Sequence, residues 1–165
     1  MKTNGSAYVT VVVVALAGYF TYQWWFNPHR VIANELGELA GALTAPAGES
    51  EVNRLARFAT VRRLLSPTIR VRFGDAEMAS RDAVMGALAA WTPPKSGVNV
   101  DFVDTQVNVD SDETARAYAT VEVTTLDADG KNPSVDSREV RMTLGLIDGL
   151  WVITEAAPND LRQQP

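Results

Sequence analysis

The spacing of apolar residues changes twice along the chain and divides it into three parts. The first part, over residues 7–26, is a run of 20 residues without a charge. Between residues 28 and 92 apolar positions recur every three or four residues, the period of a helix with one buried face. From residue 98 to residue 157 apolar and polar positions alternate, as in a half-buried strand. The pattern predicts a hydrophobic N-terminal helix followed by an α+β domain.

Three helices are predicted in the second part, over residues 28–44, 49–65 and 81–92, with proline residues at their boundaries. Ser50 and Ser80 are the expected N-caps of the second and third helices. The residues expected on the inward faces are Ile32, Leu36, Leu39 and Leu43 in the first helix, Val52, Leu55, Ala56, Ala59 and Leu64 in the second, and Val84, Leu88 and Trp91 in the third.

Five strands are predicted, one between the second and third helices and four after the third helix. They cover residues 68–73, 98–109, 114–126, 137–147 and 150–157. The adjacent apolar residues Phe102 and Val103 interrupt the alternation and predict a β-bulge. Asp148–Gly149 is typical of a two-residue hairpin turn. We therefore expect a domain over 27–158, with about three helices packed on one curved antiparallel sheet, followed by a flexible tail over 159–165.

The uncharged segment over 7–26 has the length of a transmembrane helix, since 20 helical residues span about 30 Å. Lys2 lies in the short tail over 1–6 that precedes it, and positive charge favours the cytoplasmic side. The sequence thus predicts a single-pass anchor with a cytoplasmic N-terminus and a periplasmic or other extracytoplasmic domain. The aromatic residues expected at the membrane interface are Tyr19, Phe20, Tyr22, Trp24, Trp25 and Phe26.

Two other interpretations of this segment remain open. Ala15-Leu16-Ala17 fits the small-x-small pattern of signal-peptide cleavage, which would make Gly18 the first residue of the mature chain. A helix buried in the protein core is the other alternative.

Composition removes several classes of function. The chain has no cysteine and one histidine, His29, which excludes a disulfide framework, a cysteine nucleophile and a metal site that needs two imidazoles. Its net charge of −5 argues against a nucleic-acid partner. The run Asp127–Gly130 is similar to the start of a calcium loop, but Lys131 occupies a ligand position. We therefore predict neither a cofactor nor a metal.

Charge is distributed unevenly. Residues 51–82 contain seven arginines and four acidic residues, whereas residues 83–165 contain six basic and 13 acidic residues. The basic part follows the predicted membrane exit closely, so its arginines are candidate contacts for lipid headgroups or for an acidic partner. The alternative is a solvated helix face paired with acids of the sheet. The candidates are Arg54, Arg57, Arg62, Arg63, Arg70 and Arg72.

Three short motifs, in this order, resemble those of the nuclear transport factor 2-like superfamily, which includes ketosteroid isomerases. They are LLSPTIRV at 64–71, SRDAV at 80–84 and DGLWVI at 148–153. The resemblance extends over about 28–158. It implies a cone-shaped domain, in which enzymes of this group place a carboxylate or a histidine. Function does not follow from the fold, because such folds host unrelated activities.

The candidates for chemistry inside that cone are few. Asp101 and Asp104 flank the predicted bulge, which can turn a side chain inward, although an outward, solvated position is the usual one. Asp75 is typical of a turn, Tyr118 falls on the predicted outer face, and His29 precedes the domain's first core residues. No catalytic residue is therefore predicted.

These observations favour a non-catalytic, membrane-anchored accessory or assembly subunit of a larger membrane complex, such as a secretion, respiratory, photosynthetic or transport complex. The plan is similar to that of single-span periplasmic components of type IV secretion systems, although the cytoplasmic tail here is shorter. The expected partners are an integral membrane complex and membrane lipid; a small ligand and nucleic acid are not expected. The alternative is a membrane-tethered small-ligand binder, or an isomerase or hydratase that uses a carboxylate in the cone.

Overall fold

The computed structural model describes residues 10–19, 27–127 and 132–159. Residues 10–19 are helical. The remainder of the predicted anchor, including its aromatic residues from Phe20 to Phe26, and both predicted tails apart from residue 159 lie outside the described residues. Within the described ranges no helix has the length and hydrophobicity needed to cross a membrane.

Three further helices form where the sequence predicts them: α1 (Pro28–Leu43), α2 (Glu51–Leu64) and α3 (Arg81–Ala90). Ser50 and Ser80 are N-caps, as predicted, because each hydroxyl oxygen accepts a hydrogen bond from the amide three residues later. Asn27 caps α1 in a similar way. The helix boundaries thus follow from local capping and from proline.

Within the described residues seven strands form one sheet, in the order β1-β4-β5-β6-β7-β2-β3. Their ranges are β1 (Ala45–Pro46), β2 (Leu65–Phe73), β3 (Ala76–Met78), β4 (Gly97–Val109), β5 (Thr114–Leu126), β6 (Pro133–Ile147) and β7 (Leu150–Pro158). The sheet is not wholly antiparallel as predicted, since β2 and β7 pair in parallel. Strand alternation is the same for both directions, so the sequence pattern could not distinguish them.

Side chains from the helices fill the closed end of the curved sheet. Ile32 and Leu36 of α1, Ile69 of β2 and Leu144 of β6 are all at most 2% exposed. Short side chains on β5, at Ala115 and its neighbours of the same face, leave room for the helices. The predicted inward face of α1 is confirmed, with Leu43 half-buried.

The predicted inward face of α2 is wrong. Val52 is 76% exposed and Leu55 is 60% exposed, and Ala56 and Ala59 also lie on the outside. Of the predicted inward residues only Leu64 is buried, and Val61, which was not predicted, is buried with it. The reason is that α2 continues into β2 without a loop, so the direction of β2 sets the rotation of the helix. The prediction that Trp91 faces inward is also wrong, because Trp91 is the C-cap of α3 and is 44% exposed. Val84 and Leu88 pack against the core, as predicted.

The two predicted irregularities of the sheet are present. The register of β4 against β5 shifts between Val103 and Gln106, slightly beyond the predicted position, and Asp104 there has a φ of 51°. Asp148 and Gly149 have φ values of 52° and 79°, as a type I′ hairpin requires.

Candidate functional site

The open end of the cone contains an apolar groove of about 390 Å³. It lies on the concave face of the sheet, where β7 ends and β6 continues. Phe73, at the end of β2, is 66% exposed beside it. The principal lining residues are Val71, Phe73, Val121, Val123, Val140 and Pro158. The volume and the apolar lining of this groove are in the range of small-ligand sites in proteins.

Four charged residues line the groove (Arg72, Asp136, Arg138 and Glu139), and two of them form an ion pair on the groove face of β6. Asp136 and Arg138 are directly opposite Val123 and Val121 on β5, so all four share one face. The Asp136 Oδ2 and Arg138 Nε atoms are 3.3 Å apart, and both side chains are about two-thirds exposed (66% and 65%). An ion pair so exposed contributes little to stability, and its members remain available to a bound molecule.

The carboxylates considered from the sequence lie outside the groove. Asp101 is exposed and accepts a hydrogen bond from the Asn99 side chain. Asp104 is exposed at the bulge and lines a polar cleft of about 450 Å³ with Tyr118, on the face opposite the core. The bulge therefore turns no carboxylate into the cone. Asp75 is exposed in the turn between β2 and β3.

The histidine links two elements away from the groove. The Nδ1 atom of His29 lies 3.0 Å from the backbone oxygen of Val107. A carbonyl oxygen only accepts, so Nδ1 carries the proton. His29 thus ties the start of α1 to β4. Among residues 10–19, 27–127 and 132–159, no cluster of three histidine, aspartate or glutamate side chains is arranged to bind a metal ion.

Sequence analysis missed Glu35, a residue of α1 whose carboxyl is close enough to Arg63 of α2 to interact with its charge. Its Oε2 atom is buried and has no hydrogen-bond partner in the described part of the chain. Burial raises the pKa of the Glu35 carboxyl; Arg63 opposes this shift, and Glu38 adds to it. The position could have been suspected from its place beside the apolar stripe of α1. Glu35 does not line the groove.

Arg57 is a structural residue. Its Nε and Nη2 atoms donate to both carboxylate oxygens of Glu49 at 2.7 and 3.0 Å, and Nη1 donates to the Ala42 carbonyl at 2.8 Å. The two side chains are only 11% and 10% exposed. Arg57 therefore joins the end of α1, the following loop and α2, and it is poorly placed to meet a lipid or a partner.

The other predicted arginines are on the surface but do not form one cluster with common contacts. Three of them make exposed ion pairs: Arg62 with Asp82 at 3.0 Å, Arg63 with Glu38 at 2.6 Å, and Arg72 with Glu155 at 2.8 Å. Of these three acidic partners, only Glu155 belongs to the acidic region over residues 83–165. Arg54 and Arg70 are exposed and make no ion pair with any described residue.

The Arg57–Glu49 contact predicts a pH dependence of stability. The hydrogen bond from Arg57 holds the pKa of the Glu49 carboxyl below its usual range. The unfolded chain therefore binds the proton first as pH falls, and stability decreases as pH drops through the folded-state pKa. We expect Glu49→Gln to remove part of this decrease between pH 5 and about 3, measured by urea unfolding. The exposed carboxyl of Glu77 supplies the control Glu77→Gln, and an equal effect of the two changes would contradict the assignment.

No protein-family model matches this chain. No curated protein matches it either. Several solved structures are similar in fold. ActVI-ORFA from Streptomyces coelicolor superposes with a TM-score of 0.63 at 17% identity, covering 79% of this chain and 94% of that protein. The "Putative Scytalone Dehydratase" from Novosphingobium aromaticivorans gives 0.61 at 13% identity, covering 78% and 80%. The association domain of CaMKII from C. elegans gives 0.60 at 12% identity, covering 77% and 91%.

The domain has the nuclear transport factor 2-like fold. The resemblance carried by the three sequence motifs is therefore confirmed for the fold. At these identities the similarity extends to the fold alone. Proteins with this nuclear transport factor 2-like architecture include enzymes as well as an association domain, so the fold is compatible with either kind of role.

Proposed function

We propose that this chain is a non-catalytic accessory or assembly subunit of a larger membrane protein complex. In this proposal residues 7–26 anchor it as a single transmembrane helix, and the nuclear transport factor 2-like domain binds the complex on the extracytoplasmic side. The membrane's lipid headgroups are a second partner, through exposed arginines such as Arg54 and Arg70.

The observation that carries the proposal is the exposure of the N-terminal helix. Every described residue over 10–19 is exposed, although the segment contains no charge. Val11, Val12, Val13 and Val14 are 55–66% exposed. A helix with exposed apolar side chains on all its sides is unfavourable in water, and it suits lipid or neighbouring transmembrane helices.

A second line of support comes from the separation of two features that an acid–base enzyme needs together. The groove has an apolar floor and only solvated charges at its rim. The carboxyl whose pKa burial raises is that of Glu35, on α1, and Glu35 does not line the groove. The closed end of the cone is filled by side chains, which favours a role as a rigid binding module. The association domain from C. elegans is an example of this fold with an associating role in its name.

Purification of the tagged full chain in mild detergent tests the proposal. We expect defined integral membrane proteins to copurify at constant stoichiometry. Recovery of the chain alone in several mild detergents would contradict the proposed role as a subunit. A reporter fused after Pro165 tests the orientation, since it should be active only outside the cytoplasm.

The groove favours one second candidate, a binder of small apolar molecules or an enzyme acting on them. Its volume of about 390 Å³ is within the range of small-ligand pockets. Under this candidate an apolar fluorescent probe binds saturably, and Val121→Trp, which fills the groove, abolishes the binding.

A further inference from the structure

The hairpin between β6 and β7 exposes apolar side chains on both of its faces. Leu146, Ile147 and Leu150 are 36%, 42% and 43% exposed. Leu146 lies on the same face of β6 as the buried Leu144, so the core accounts for its residue type. Ile147 and Leu150 pair with each other on the opposite face, away from this core. The tip therefore has an apolar surface that core packing does not explain.

Helix α1 runs antiparallel along β4. The His29 Nδ1 atom lies 3.0 Å from the Val107 carbonyl oxygen, and the Thr44 hydroxyl oxygen accepts a hydrogen bond of 3.0 Å from the Val100 amide. The helix rises about 22 Å between its two contacts and the strand extends about 23 Å, so the two axes are nearly aligned. β6 has the direction of β4, because both are antiparallel to β5. The start of α1 and the β6–β7 hairpin therefore lie at the same end of the domain.

At that end the hairpin projects beyond the first residues of α1. Val107 pairs with Ala117, and Ala117 pairs with Met142, so His29 is level with Met142 of β6. Ile147 lies about 16 Å farther along the strand. The tip thus extends past the point at which the chain enters the domain.

No linker separates the domain from the uncharged segment over 7–26. Asn27 is the N-cap of α1, and the helix begins at Pro28. Residue 26 is within about 11 Å of His29, because three residues of chain span no more than this. If residues 7–26 cross the membrane, the hairpin tip reaches at least as far as the residue at which the chain leaves the lipid.

The composition of the tip suits the headgroup region of a bilayer. Residues 146–151 are LIDGLW, in which Asp148 is the only charged residue. The neighbouring β4–β5 turn exposes Asp112 and Glu113, and the Glu113 carbonyl accepts a hydrogen bond of 2.9 Å from the Leu146 amide. These carboxylates favour lipid with a cationic outer group, such as the choline of phosphatidylcholine, over anionic lipid.

We propose that the β6–β7 hairpin, through Ile147 and Leu150, lies in the headgroup region of zwitterionic lipid beside the anchor and thereby fixes the orientation of the domain. The inference rests on the proposed single-span anchor and gives the domain a second membrane contact. In this orientation the apolar groove faces away from the membrane, because Val123 and Asp136 line it at the opposite ends of β5 and β6.

Site-specific fluorescence tests this contact, since the chain has no cysteine. The full chain with a bimane label on Ile147→Cys is reconstituted alone in phosphatidylcholine nanodiscs, with and without a nitroxide-headgroup lipid. We expect the nitroxide to lower the emission at least twofold. The matched control is Val135→Cys, because Val135 is 54% exposed on the same face of β6, about 40 Å away. Its emission should hardly change, and equal quenching at the two positions would overturn the proposal.

A second experiment removes the apolar tip and keeps the anchor. A bimane label on Asp112→Cys, in the adjacent turn, reports the proximity of this end to lipid. Ile147→Ser with Leu150→Ser should reduce its quenching at least twofold. Val52→Ser with Leu55→Ser, which changes an exposed apolar pair on α2, should leave the quenching unaltered. Unaltered quenching after the hairpin change would contradict the proposal.

Other occupants of the hairpin give different results. If a protein partner covers it, the label on Ile147→Cys stays unquenched in nanodiscs that hold this chain alone. If Trp24 and Trp25 of this chain cover it, bimane is quenched without any nitroxide, and Trp24→Phe with Trp25→Phe restores its emission. Either result would show that the proposed lipid contact is wrong.

The anchor and the subunit role are scored separately. Retention in the membrane after a carbonate wash, without quenching at position 147, rejects the hairpin contact and leaves the anchor intact. Loss of the full chain from the membrane rejects the anchor and the hairpin contact together. Quenching at position 147 without any copurifying complex rejects the subunit role alone.

Discussion

Replacing Leu144 by alanine is expected to lower the free energy of unfolding by about 3 kcal/mol. Leu144 is 1% exposed and belongs to the cluster that joins α1, α2 and the sheet at the closed end of the cone. Its truncation removes apolar contacts and leaves a cavity that the surrounding strands and helices cannot fully close. Urea unfolding of the full chain in mild detergent, followed by tryptophan fluorescence, measures the change.

Leu146 provides the matched control, because it is the same residue type on the same face of β6 two positions later. It is 36% exposed near the hairpin, so Leu146→Ala should cost about 1 kcal/mol or less. Equal decreases in the free energy of unfolding for the two variants would contradict the conclusion that side chains fill the closed end of the cone. They would also remove one support for a rigid binding module.

Local signals account for what the sequence predicted well. The strand over 114–126 has the predicted bounds, since its alternation is uninterrupted. The capping serines and the Asp148–Gly149 turn were also found, because each depends on side chains and dihedral angles within a few residues.

Non-local pairing accounts for most of what it missed. The short strands β1 and β3 form only because longer strands pair with them. At Gly97 of β4 a Cβ atom would lie 2.8 Å from the Ala45 carbonyl oxygen, so only glycine permits the close approach of β1 to β4. The strand predicted over 137–147 begins earlier, at Pro133, because exposed strand residues without apolar neighbours have the sequence pattern of a loop. The apolar face of α2 was wrongly predicted to be buried for a related reason. Periodicity shows which residues share one face of a helix, but it does not show whether that face packs against the core or lies in solvent.

The candidate site was predictable only in part for the same reason. Its floor combines residues from β2, β5, β6 and β7, which no sequence spacing brings together. The search for strand carboxylates led to Asp101 and Asp104, while the buried carboxyl belongs to Glu35 on a helix. The charge of the arginine-rich region was evident from the sequence, but the burial of Arg57 against Glu49 depended on how α1 meets α2.

The largest functional effect is expected from placing charge in the N-terminal helix. If residues 7–26 are the anchor proposed above, Val12→Arg combined with Leu16→Arg should move the full chain from the membrane fraction to the soluble fraction. An arginine near the centre of a spanning helix costs about 3 kcal/mol, so two such changes remove most of the insertion energy of a 20-residue span. Fractionation of cells after an alkaline carbonate wash measures the distribution.

A surface control on α2 makes this experiment specific to the anchor. Val52 and Leu55 are 76% and 60% exposed, more than Val12 and Leu16 at 55% and 51%, and they present a comparable apolar pair. If residues 7–26 hold the chain in the membrane, Val52→Arg with Leu55→Arg leaves it membrane-bound. Release by the α2 pair but not by the N-terminal pair would mean that the outward face of α2 supplies the membrane attachment. Retention of both variants would assign the attachment to a protein partner, because neither apolar surface would then be required in contact with lipid.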